Sequence, residues 1–168
     1  MIASKYEEIY VPDIQDFVFI SDNAYSKKEI LKMEFDILNT LEFNVQIVTP
    51  YRFLERFTKF ANVSPTVKEL AQYLIEVSLM EQKMLIYQPS LIASSGLFLA
   101  MRVIYRGNGE WTDELIKATK YELNALHPCF KDMCVLFTGI EHCSLQTVRK
   151  KFSLGRHLKV AQIKIVFA

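Results

Sequence analysis

The segment from Pro89 to Tyr105 constrains this chain more than any other. It is apolar on almost every side of a helical projection, and only Arg102 interrupts its longest apolar run, Gly96 to Ile104. A helix with no polar face has to be surrounded by other elements. Ala93, Ser94, Ser95, Gly96 and Ala100 are small enough to let neighbouring helices approach closely. The run is far shorter than the ~20 residues a membrane helix needs. The sequence therefore predicts a helical bundle built around this segment.

The rest of the chain supplies amphipathic helices to surround it. Met1 to Ile9 reads as the end of a helix, and Pro12-Asp13 as the start of a short one. Proline suits a first helical position there, and Ile14, Phe17, Val18 and Ile20 form the apolar side. Ser26 and Glu29 form a capping-box pattern for a helix to about Phe43. Thr49-Pro50 opens a helix with Phe53, Leu54, Phe57, Phe60 and Ala61 on one face, and Ser64-Pro65 opens another to about Met80. After a turn at Gly107-Asn108-Gly109, Thr112 caps a short helix. A longer one runs from about Ala118 to Phe137, with Pro128 expected to kink it. Only Gln162 to Phe167 looks strand-like, so the fold class is all-α.

Composition narrows the functional classes. With 51% apolar and 23% charged residues among 168, the chain can bury a substantial core. A net charge of +1 argues against a general nucleic-acid binder. Cys129, Cys134 and Cys143 form no CxxC pair and read as free thiols in a reducing compartment. The spacing of His127, Cys129 and Cys134 fits no common zinc motif, so neither metal nor cofactor is expected. No basic-then-apolar leader opens the chain, and an intracellular soluble protein is the expectation. No Gly-rich phosphate loop, HExxH or nucleophile–base pair suggests an enzyme.

Two charged residues stand out against this background. Lys5 and Glu8 are three apart and share a face if the first helix reaches them. Glu34 falls between Ile30 and Leu38, inside the stripe formed by Ile30, Leu31, Met33, Ile37, Leu38 and Leu41. An ionised carboxylate there is costly unless something donates to it. Two readings stay open: a residue at the rim of the core, or a carboxylate that receives N–H groups from a partner or the ammonium of Lys5. Lys5 and Glu34 are accordingly the candidate hydrogen-bonding groups of an apolar docking face.

Ile2-Ala3-Ser4 recurs as Ile92-Ala93-Ser94, and each copy is followed by a turn, a short helix and a long helix. Ser95 and Phe98 stand in the second copy where Lys5 and Glu8 stand in the first. The charged pair thus belongs to one copy, which fits a function rather than folding.

Several stretches resemble the cyclins, specifically the A/B-type mitotic group. The carriers are Ala3 to Tyr10 with Pro12, Phe17 to Lys28, Leu31 to Glu34, Leu41 to Asn44, Thr49-Pro50 and Phe53-Leu54. Tyr87, Pro89-Ser90, Ile92-Ala93 and Leu126-His127-Pro128 continue the match. The resemblance implies a cyclin-box fold: the later part of a first box at 1–47, a complete five-helix second box at 48–144, and a tail at 145–168. It also implies that the family's opening helices, their Met-Arg-Ala-Ile-Leu patch and a destruction box have no counterpart here, leaving apolar surface and a tendency to self-association.

The activity implied is that of an activating, non-catalytic subunit of a cyclin-dependent kinase at G2/M, in nucleus and cytoplasm. By resemblance, Lys5 donates to backbone carbonyls near the kinase's PSTAIRE-type helix and Glu34 accepts from backbone N–H groups there. Tyr6, Glu8, Ile9 and Phe43 match the same surface, with Lys27 and Lys28 at its rim. No nucleic acid, membrane or cofactor is implied. A helical scaffold that binds nucleic acid or other proteins in transcription is the alternative. The basic tail, Arg149 to Lys159, reads as a solvated segment packed across the second box.

Overall fold

The structure is a computed structural model that describes residues 1–163. Among the described residues it is helical with no strand, as the periodicity predicts. Gln162 closes a single 3-10 turn and Ile163 is extended, while residues 164–167 of the strand-like run lie outside the described residues. The chain divides into two compact units, Met1–Ile47 and Val48–Ala168.

The first unit holds α1 (Ile2–Glu7), α2 (Ile14–Ile20) and α3 (Lys27–Thr40). Helix α1 stops two residues earlier than expected. Glu8 is extended, its N–H donating back to the Ser4 carbonyl, so Lys5 and Glu8 do not share a helical face. Nor does Pro12 begin α2. The Asp13 carboxylate accepts from the Gln15 N–H at 2.9 Å while Asp16 accepts from the Asp13 N–H at 2.8 Å, making Asp13 the cap. Ser26 and Glu29 form the expected reciprocal cap of α3. The Ser26 hydroxyl, and then its N–H, hold the Glu29 carboxyl below the usual carboxylate range.

Helix α3 also ends before Phe43. The Phe43 N–H reaches the Leu38 carbonyl and the Glu42 N–H reaches that of Asn39, with Glu42 at φ 50°. This is a Schellman termination built without glycine, so no residue type announces it. No residue of the first unit is buried. Of the stripe expected on α3, only the line Ile30–Glu34–Leu38 is partly covered, while Leu31, Met33, Ile37 and Leu41 stay exposed.

The second unit carries the core. Helices α4 (Pro50–Ala61), α5 (Pro65–Ser78) and α8 (Leu123–Gly139) pack around α6 (Pro89–Ile104), and α7 (Asp113–Thr119) packs on α4. Of the ten residues of α6 from Ile92 to Met101, all but Phe98 are buried, which is what its uniform apolarity required. Gly96 lies so close to α5 that an added Cβ would touch the Ala71 carbonyl at 3.6 Å. On α4, Leu54 and Phe57 are buried, but Phe60 is exposed.

One expected helix proves to be two. The Thr119 hydroxyl donates to the Leu115 carbonyl at 2.7 Å and accepts from the Tyr121 N–H, while Lys120 turns to φ 66°. The Trp111 indole N–H then donates to the Tyr121 carbonyl at 3.0 Å, pinning the break. Helix α8 starts afresh at Leu123 and runs through Pro128 without ending there. The second unit repeats the first unit's order of helices: α6, α7, α8 against α1, α2, α3.

The tail lies across the same core. Phe152 of α9 (Thr147–Phe152) is fully buried against Tyr73, with ring centroids 5.2 Å apart. Three of its six basic residues from Arg149 to Lys159 are paired: Lys151 with Glu76 at 2.7 Å, His157 with Glu69 at 2.9 Å, and Arg149 with Glu141 at 2.8 Å. The three cysteines are free, and burial pushes the Cys129 and Cys134 thiols up to about 11.

Candidate functional site

The site is built on the first unit, from the end of α1 and the middle of α3. Lys5 stands in the last turn of α1, where a cation suits the carbonyl end of the helix. Its ammonium lies 2.8 Å and 2.9 Å from the two carboxylate oxygens of Glu34. The side chains are 48% and 13% exposed, respectively. Glu34 is therefore a mostly covered carboxylate to which its own chain supplies a donor. The ammonium keeps a solvent-facing side with N–H capacity to spare.

The other residues singled out lie on the exposed surface of the unit. Tyr6 is exposed beside Lys5, and Ile9 is 92% exposed just past the helix. Phe43 stands out from the turn after α3, and Lys27 and Lys28 project from its first turn. Glu8 is exposed and makes no ion pair with Lys5 or with any other side chain among the described residues. Of the residues singled out, then, only Lys5 and Glu34 touch through a polar bond. The others share the exposed surface of the unit.

The sequence reading missed a groove on α1 and α3. Met1, Ile2, Tyr25, Ile30, Met33 and Ile37 line a cleft of about 760 Å³ beside Glu34. Ile30, Met33 and Ile37 were legible as an apolar stripe. That the stripe stays open is not in the periodicity, which reports a face and says nothing of what covers it; the resemblance alone implied exposed apolar surface. Among the described residues no group of three or more His, Cys, Asp or Glu side chains is placed to hold a metal ion. No described helix is long and apolar enough to cross a membrane.

Models of two cyclin domains match the chain: the N-terminal domain over residues 1–46 and the C-terminal domain over residues 48–165. The chain belongs to the cyclin family. This cyclin is 36% identical over 163 residues to a G2/mitotic-specific cyclin-B of Patella vulgata, covering 97% of the chain and 40% of that relative. It is 34% identical to the G2/mitotic-specific cyclin-B of Dictyostelium discoideum, covering 99% of the chain and 38% of the relative. Cyclin-A1-1 of Arabidopsis thaliana is 38% identical, over 96% of the chain and 36% of the relative. The likeness is to the A and B types, and the chain spans about two-fifths of the length of these relatives.

Proposed function

We propose that this cyclin is a regulatory, non-catalytic partner of a cyclin-dependent kinase acting at G2/M, and that it docks through the first unit. The observation that carries the reading is the Lys5–Glu34 pair, preformed in an apolar surface that the chain leaves open. A surface ion pair contributes little to stability. A pair beside an open apolar groove lined by Ile30, Met33 and Ile37 becomes valuable once a partner removes the water. Desolvation then strengthens its electrostatics, and the spare N–H and lone-pair capacity must be met by partner groups. The backbone carbonyls and N–H groups at the end of a PSTAIRE-type helix have that chemistry.

Lys27 and Lys28 add to the reading. Cations in the first turn of a helix oppose its dipole, so they do not serve the local stability of α3. At the rim of a docking face they steer an acidic partner instead. The docked face would hold the kinase helix inward, completing the Lys–Glu pair that orients ATP phosphates and helping to order the activation loop. The cyclin contributes position and no reacting group. Its site of action would be the nucleus and cytoplasm.

The test is affinity for a purified cyclin-dependent kinase. Lys5→Ala and Glu34→Ala should each weaken binding by roughly 1–3 kcal/mol, as for a charge-assisted bond that becomes buried, with helix content unchanged by circular dichroism. Equal affinity of wild type and the double variant would refute the site.

A further inference from the structure

Helix α3 carries a second pattern that the Lys5–Glu34 pair does not use. Lys28, Leu31, Phe35 and Leu38 follow one another at spacings of three, four and three, and so lie on one stripe of the helix. Glu42 continues the spacing in the turn just past the helix end. Leu31 and Phe35 are 44% and 63% exposed, and Lys28 and Glu42 are exposed at either end. Neither charged residue has an ion-pair partner among the described residues. The groove lined by Met33 and Ile37 is on the other flank of the helix.

The stripe is basic near the start of the helix and is followed by an acidic residue at its end. Lys28 is seven residues before the phenylalanine, roughly 10 Å along the axis, and Glu42 is seven after it, in the left-handed turn that closes the helix. A surface that is basic at one end, apolar in the middle and acidic at the other complements itself when turned through a two-fold axis. We infer that α3 pairs antiparallel with α3 of a second copy of this chain, about an axis at Phe35. Each Lys28 then faces the partner's Glu42, and the two phenylalanine rings meet at the centre with Leu31 beside them. A parallel arrangement would set lysine against lysine, so the charges select the antiparallel one. Lys28 also lies in the proposed kinase-docking surface. Where that reading holds, the two assemblies exclude one another.

The experiment uses the whole chain alone, by sedimentation velocity across a concentration series, and involves no kinase. A monomer–dimer equilibrium is expected. Lys28→Glu or Glu42→Lys alone should raise the dissociation constant about tenfold, because each reversal spoils two symmetric pairs. The double reversal restores both pairs with exchanged signs and should return the constant to within about threefold of wild type. Phe35→Ala should weaken the dimer at least as much as either reversal. All three positions are exposed, and circular dichroism on each variant verifies the fold. A monomer at every concentration, an open-ended series of larger species indifferent to the reversals, or a double variant no better than the singles would each overturn the pairing.

Discussion

The phenol of Tyr87 donates to one oxygen of Asp132 at 2.7 Å while the Lys83 ammonium occupies the other at 2.7 Å, so one carboxylate on α8 anchors both ends of the Gln82–Ile86 turn. The pair shifts both titrations. The bond to Asp132, followed by burial, pushes Tyr87 up to about 12, and the bonds from Lys83 and then Tyr87 hold Asp132 below the usual carboxylate range. A raised tyrosine contributes stability below its ordinary value of about 10 and loses it as pH climbs from there to about 12. A lowered carboxyl contributes above about 4 and loses its contribution as pH falls through that value. Asp132→Asn should therefore move one phenol from about 12 back towards 10 in a phenolate absorbance titration, a change absent when Tyr87→Phe is added. Its stability cost at neutral pH should be about 1 kcal/mol, since Lys83 is largely in solvent. An unchanged titration would show that the phenol is free of the carboxylate.

Two glycines should respond in opposite directions to alanine. At Gly109 a Cβ would lie 2.8–2.9 Å from the carbonyl carbon, oxygen and Cβ of Met101, and the first two are backbone atoms that cannot move aside. Gly109→Ala should cost roughly 1–3 kcal/mol as overpacking. At Gly96, inside α6, the nearest atom is Ile75 Cγ1 at 3.4 Å, an ordinary contact. Gly96→Ala should leave stability unchanged or raise it by up to about 1 kcal/mol through helix propensity. Denaturant midpoints compare the two directly, and the same sign for both would contradict the packing described.

The tail should behave as part of the core of the second unit. Phe152 is fully buried, its ring 5.2 Å from Tyr73 and 4.6 Å from His157. Phe152→Ala should cost about 3–5 kcal/mol. It should also open the bonds after Arg149, Lys150 and Lys151 to trypsin, whereas wild type resists cleavage there. Thermal denaturation and limited proteolysis read the two effects separately. Rapid tail cleavage in wild type would mean that the segment is not docked.

Helix starts were legible in the sequence where a side chain caps them. Ser26, Ser64 and Thr112 each accept from a first-turn N–H three residues on, a local interaction that composition exposes. Asp13, one position after the proline expected to lead, caps α2 by accepting from the N–H two residues on. Helix ends were less legible. The α3 terminus uses Glu42 where glycine is usual, and the break at Lys120 depends on Trp111 reaching Tyr121.

By itself the sequence determined most of the helical segments, that α6 lies in a core, and that Lys5 and Glu34 are the charged residues out of keeping with apolar surroundings. Those properties follow from side-chain periodicity and from the cost of an unpaired carboxylate, both of which act over one or two turns. Only the tertiary structure decided that the Lys5 ammonium meets the Glu34 carboxylate across 29 residues of chain and that Phe152 closes the core against Tyr73. Each of these is set by which helices pack together, and no local pattern encodes the distance between side chains on separate elements.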